Sequence, residues 1–255
     1  MNLSYRGKHV FRRNLVSYKR FVLPTLVVSL VEPLFYLVTF GIGMGAYMGY
    51  LGGKPYLEFL VPGVLLSGVM MTSSFECLYD TFLKIVHQKL YDSLIATPIS
   101  AEDAIAGEIA WGAFRGLVNG VLVLVMAAVM GVRPPSAAGG AFLLLLMALS
   151  GVLFGSLAII VTSFAPTFDF FNYYTELVIT PMLFFSGVFF PLDSFPGWMK
   201  AFSRLLPLTH AVELSRAVFT GERPPGIAGN LLYLVGLAAV AFFVALRMMK
   251  RRLIK

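Results

Sequence analysis

Residues 227–246 read IAGNLLYLVGLAAVAFFVAL, and residues 247–255 read RMMKRRLIK. The first stretch carries no charge over 20 positions. At about 1.5 Å of rise per residue, a helix of that length matches the ~30 Å hydrocarbon core of a bilayer. The second stretch places Arg247, Lys250, Arg251, Arg252 and Lys255 directly behind it. Lysine and arginine collect on the cytoplasmic side of membrane helices, so the two stretches read as a spanning helix that ends inside.

The composition of the whole chain agrees. Of 255 residues, 58% are hydrophobic and 13% charged, where a soluble domain carries about 25% charged residues. Mean hydropathy is +0.82. A soluble fold of this size has no interior large enough to hide that much apolar surface, whereas lipid can cover it. The formal net charge of +7 does not point to nucleic acid, because the cations sit at the chain ends and form no patch. Arg6, Lys8, Arg12, Arg13, Lys19 and Arg20 precede the first apolar run. Together with the five at the other end they place both termini on the cytoplasmic side. The single Cys77 excludes an internal disulfide framework. The basic start, with no short apolar stretch ending in a small-residue cleavage site, excludes a cleavable signal peptide.

Working back from the last span, apolar runs predict five more, at about 21–47, 56–83, 101–131, 138–164 and 170–190. The expected fold class is therefore an all-α polytopic membrane protein of one domain, residues 1–255, with six crossings. Residues 1–20 alternate basic and apolar positions and predict an amphipathic helix in the cytoplasmic interface. Glu32-Pro33 interrupts the first span, and proline bends a helix. Lys84 to Ile99 is the longest inside segment, with Leu90, Leu94 and Ile95 at helical spacing before Thr97-Pro98. Between Pro191 and Pro225 two pieces, 195–206 and 209–220, are each too short to cross and read as half-inserted helices at the outer face. Glycines four apart (Gly41/Gly45, Gly112/Gly116, Gly116/Gly120, Gly151/Gly155) allow close helix approach.

No hydrolytic or redox motif is present. His9, His87 and His210 are scattered, and neither Gly-x-Ser-x-Gly nor a P-loop occurs. Glu32, Glu58, Glu76, Asp80, Glu108, Arg115 and Glu176 fall in or near spans, where ionisable groups are candidates for function. Most lie near span ends, which favours structural pairing, and Glu108 with Arg115, seven residues apart, is the expected pair. Only Arg115 and Glu176 lie near a midpoint, an arrangement that argues against a proton-driven antiporter.

Ile179-Thr180-Pro181-Met182-Leu183-Phe184-Phe185-Ser186-Gly187 continues through Val188-Phe189-Phe190-Pro191-Leu192-Asp193. Phe195-Pro196-Gly197-Trp198, Leu206-Pro207-Leu208-Thr209-His210 and Leu214-Ser215-Arg216 follow. This succession resembles the signature of the type 2 permeases of ABC transporters. Glu32-Pro33-Leu34-Phe35-Tyr36, Gly41-Ile42-Gly43-Met44-Gly45 and Phe164-Ala165-Pro166-Thr167-Phe168-Asp169-Phe170-Phe171 resemble a narrower group, the nodulation protein J exporters of lipo-oligosaccharides.

The resemblance implies two permease copies, as a homodimer, over two cytoplasmic ATPase subunits in a bacterial-type inner membrane. This chain would carry no cofactor and no catalysis, with ATP and Mg bound by the partner. The segment 84–99 matches the position of a coupling helix, with Gln88, Leu90, Tyr91, Leu94 and Ile95 as the expected ATPase contacts. The first, second and fifth spans would line the route, and the two short outer helices would close it. Phe35, Tyr36, Phe40, Phe171, Tyr173, Tyr174, Phe184 and Phe185 are the candidate route residues, since aromatic faces stack on sugars and line lipid tails. The expected cargo is an amphiphile: a lipo-oligosaccharide, another glycolipid or a hydrophobic drug. A stand-alone secondary transporter and a membrane scaffold are the alternatives.

Overall fold

The computed structural model describes residues 5–51, 53–86, 99–132, 136–221 and 226–253. The chain is almost wholly helical. Helix α1 covers Gly7–Lys19. Among the described residues, five helices are long and apolar enough to cross a membrane: α2 Val22–Met48, α3 Tyr56–Val86, α4 Ala101–Val129, α5 Ala137–Phe164 and, last in the chain, Ile227–Leu253. The only sheet among the described residues is a small hairpin, β1 Tyr50–Leu51 against β2 Lys54–Pro55.

The fifth expected span differs from the other five. Its helix α6, residues 170–185, consists of pieces of five, five and six residues with a π-helical middle. That is about 24 Å of helix, short of the ~30 Å core. The chain then leaves helical geometry at Ser186–Phe190, yet Val188 and Phe189 are fully buried. Non-helical backbone survives at membrane depth only when protein groups satisfy it, and here they do. Ser203 Oγ donates to the Phe185 carbonyl (2.6 Å) and the Tyr56 hydroxyl to that of Phe189 (2.7 Å). Gly187, at φ +73°, makes the turn. Val188 seats on Gly63, where a Cβ would lie 2.9 Å from the Val188 backbone. Two short helices follow, α7 Gly197–Ser203 and α8 Pro207–Thr220, and then α9, the Ile227–Leu253 helix.

Proline and glycine explain the packing of the spans. Pro33 does not end α2, which continues as a π-helical stretch over Leu37–Met44. A proline has no N–H for the carbonyl four residues back, so the Ser29 carbonyl loses its helical donor. Asn119 of α4 supplies one, with Nδ2 3.1 Å from the Ser29 oxygen. Helix α4 starts on a capping box: Asp103 N–H donates to Ser100 Oγ (3.0 Å) and Ser100 N–H to Asp103 Oδ2 (3.4 Å). Its Gly112 and Gly116 face α3. A Cβ on Gly116 would collide with Ser73 Oγ, and one on Gly112 would sit 2.6 Å from Cys77 Sγ.

Both ends of the chain meet the first turns of α4. Gly7 lies against Asp103, and Lys250 of α9 pairs with Glu102 at 2.6 Å. The α9 helix outlasts the apolar run read from the sequence and carries the basic residues to Arg252 as helix. The two ends of the described chain therefore meet at one end of the bundle.

Candidate functional site

At the end that holds the termini, charged residues from three helices converge. Glu108 of α4 is 2% exposed. Its carboxylate accepts from Arg13 of α1 (2.8 Å), Asn14 of α1 (2.8 Å) and Lys84 of α3 (2.8 Å). Lys84 also pairs with Asp80 at 2.5 Å and donates to Asn14 Oδ1 at 3.1 Å. A carboxylate this deeply enclosed is stable only with its charge matched and its lone pairs filled, and the network does both.

Two turns further into the bundle, Arg115 meets Glu76 of α3 at 2.7 Å, and Trp111 Nε1 donates to the same carboxylate at 3.2 Å. The Arg115 guanidinium also lies over the Tyr18 ring at 4.4 Å, and Phe11 and Tyr18 meet Trp111 edge-on. Helix α1 is thus seated by aromatic contacts and by ion pairs. The expected pair Glu108–Arg115 is not formed. Seven residues is two turns, about 10.5 Å along the axis, beyond the one-turn spacing at which helical side chains meet. Each residue takes a partner from another helix.

A groove runs alongside this network. A cavity of about 380 Å³ lies between α1, α3 and α4, lined by Arg13, Asn14, Glu76, Asp80, Lys84, Trp111 and Arg115 among others. It shares Glu76 and Asp80 with a second cavity of about 440 Å³, which reaches Val28, Ser29 and Glu32 of α2, Thr72 and Tyr79 of α3 and Asn119 of α4.

At the opposite end, a cavity of about 450 Å³ lies between the hairpin, the start of α3, the turn at 191–193 and α8. Lys54, Glu58, Asp193, Glu213 and Arg216 line it. Arg216 donates to the carbonyls of Gly187 (2.9 Å) and Phe59 (3.4 Å) and lies over the Phe59 ring at 3.9 Å. Burial pulls its guanidinium down to about 10, opposed by Glu213, so it stays cationic at neutral pH. Arg216 is the keystone of the 186–190 turn. Replacing it by Met should cost about 1.5–3 kcal/mol, the range for hydrogen bonds made by a charged group. Labelling of buried Cys77 by a maleimide during heating in detergent reads the loss, and an unchanged midpoint would contradict the assignment.

The sequence-predicted route residues separate into groups. Tyr36, Phe40 and Phe184 surround Phe189, with ring centroids 5.5, 4.7 and 5.8 Å away. Phe185 meets Phe202 instead, at 5.7 Å. Phe171 is buried among Tyr79 and Phe82, at 5.2 and 5.3 Å, and Tyr174 is buried with it. Phe35 and Tyr173 are exposed on the chain's surface. These eight side chains form no single wall within one chain. Gln88, Leu90, Tyr91, Leu94 and Ile95 lie outside the described residues. Sequence reading missed the contacts of Arg13, Lys84, Asn119 and Arg216. Pro33 was the one usable signal, since it announces an unserved carbonyl at Ser29.

An all-α bundle of apolar spans, braced at one end by buried ion pairs, defines a multi-pass membrane protein. Residues 6–220 match the profile described as "ABC-2 type transporter", and the chain belongs to that permease family. It is 35% identical to "Nodulation protein J" of Sinorhizobium fredii over 96% of this chain and 93% of that protein. The figure for the Rhizobium meliloti protein of the same name is 34%, over 96% and 92%. It is also 27% identical to "Inner membrane transport permease YadH" of Escherichia coli, over 84% and 82%.

Proposed function

We propose that this chain is the membrane subunit of an ATP-driven exporter that moves an amphiphile out of the cytoplasm or the inner leaflet. The observation that carries this reading is the near full-length similarity to nodulation protein J, joined to family membership. Two copies of the chain would form the pathway, and two ATPase subunits would bind ATP and Mg beneath them. The end that holds both termini would face the cytoplasm, because the basic residues gather there. A lipo-oligosaccharide or a similar glycolipid suits a pathway with aromatic residues and no ring of charges.

The ion network gives the energy a mechanical path. Lys84 stands at the end of α3, just before residues 87–98, where the resemblance puts the ATPase contacts Gln88, Leu90, Tyr91, Leu94 and Ile95. A push on that segment would reach Lys84, then Glu108 of α4, then Arg13 of α1. Such a path needs groups that move as one body, which buried, mutually saturated ion pairs provide.

Reconstitution with an ATPase encoded beside this chain tests the proposal. ATP-dependent movement of a fluorescent glycolipid across proteoliposomes is the expected result. Movement driven by a proton gradient with this chain alone would overturn it. Removing one turn within 87–98 should leave the protein folded and the ATPase turning over while transport is lost. Full transport by that variant would refute the coupling role.

A further inference from the structure

The groove beside α2 is rich in acceptors. Its 440 Å³ section includes the carboxylates of Glu32, Glu76 and Asp80 and no lysine or arginine in its lining. Glu76 and Asp80 are held by Arg115 and Lys84. Glu32 shares a side-chain hydrogen bond with Tyr36 and has no cationic partner among the described residues, although it lies eleven positions into a membrane helix that begins at Val22. A charge at that depth calls for water, a partner or a ligand.

Asn119 supplies an independent observation. It is 4% exposed. The Ser29 carbonyl can only accept, so the amide must turn Nδ2 toward it. That leaves Oδ1 facing the other way, over Gly68, where a Cβ would be 2.6 Å from it. The oxygen is buried and has no hydrogen-bond partner. Gly68, Glu32, Thr72 and Asn119 line one crevice that continues the groove. A buried acceptor left empty is costly, and a ligand that donates to it recovers the loss. Val28, Met71 and Phe75 border the same space with apolar surface, which suits an alkyl chain.

We infer that this groove, between α2 and the α3–α4 pair, binds an amphiphile through a positively charged, N–H-donating headgroup placed between Glu32 and Asn119. That the ligand is an amphiphile rests on the transport reading; its headgroup chemistry and its position rest on the geometry. The site borders the aromatic positions around Phe189 and Phe171 through Tyr36, which lines its crevice, and Tyr79, which lines its groove.

The test uses the full chain in nanodiscs and a dodecylamine carrying a photoreactive diazirine on its chain. Labelled peptides should come from α2 and α3 along the groove. Glu32→Gln, nearly the same shape, should reduce that labelling at least ten-fold while Cys77 stays shielded, showing that the fold is intact. Glu176→Gln removes another exposed carboxylate at membrane depth, on α6, and should leave the labelling unchanged. Unlabelled dodecylamine should compete at least ten-fold better than dodecyltrimethylammonium, which has the charge and no N–H. Equal labelling of the Glu32→Gln protein, an equal loss in Glu176→Gln, or equal competition by the two amines would each overturn the proposal. Absent labelling beside intact ATP-driven transport would remove the site and leave the transport reading standing. Groove labelling without such transport would do the reverse.

Discussion

Glu108→Ala is expected to destabilise the protein by about 3–5 kcal/mol, the range for removing one partner of a buried ion pair. The cost is not the lost attraction alone. Lys84, almost fully buried, would keep its charge with only the partly exposed Asp80 beside it, and Arg13 and Asn14 would lose their shared acceptor. Helix α1 would lose its polar anchor on α4. Thermal exposure of Cys77 to a maleimide in detergent measures the change. The double variant Glu108→Leu/Lys84→Met removes both charges and fills similar volume, so it should recover most of the loss. A Glu108→Ala protein as stable as the wild type would show that the network is not what holds the three helices. If stability recovers in the double variant but transport does not, the network serves coupling as well as folding.

The second large effect is steric. Gly151→Leu should cost about 3 kcal/mol or more, because α5 meets the backbone of α4 at this point. A Cβ on Gly151 would lie 2.7 Å from Ala113 Cα and 3.1 Å from the Ala113 oxygen, and backbone cannot swing aside as a side chain can. Gly140→Leu on the same helix is the control. Nothing lies within 4 Å of a Cβ there, and leucine favours helix over glycine by somewhat less than 1 kcal/mol. The two substitutions should therefore shift the unfolding midpoint in opposite directions. Equal shifts would mean that lipid exposure, and not helix approach, governs the response.

Much of the architecture is legible in the residue order. The run 227–246 marks the last long apolar helix, Ile227–Leu253. The same pattern places α3, α4 and α5 within a few residues of their observed bounds, because hydrophobic length is a local property and the bilayer reads it directly. Alternating basic and apolar residues likewise give α1. The glycine spacings show which faces can come close, and Gly112, Gly116 and Gly151 do meet neighbouring helices. They do not say which helix is met.

The remainder depends on how the helices cross. Seven residues separate Glu108 from Arg115, and a reading along one helix pairs them. In the folded chain Glu108 belongs to Arg13 and Lys84, and Arg115 belongs to Glu76. No local pattern carries that information, since a side chain's partner is set by the rotation and height of the facing helix. The shortened α6 is similar. Its apolar run looks long enough to cross, but Ser186–Phe190 turns out of the helix because Ser203, Arg216 and Tyr56, from three other elements, satisfy the carbonyls of Phe185, Gly187 and Phe189. Local hydrophobicity settles that this protein lies in a membrane and roughly where each span begins. Long-range contact settles which charges neutralise one another, where the backbone may leave the helix, and which buried acceptor at Asn119 is left open.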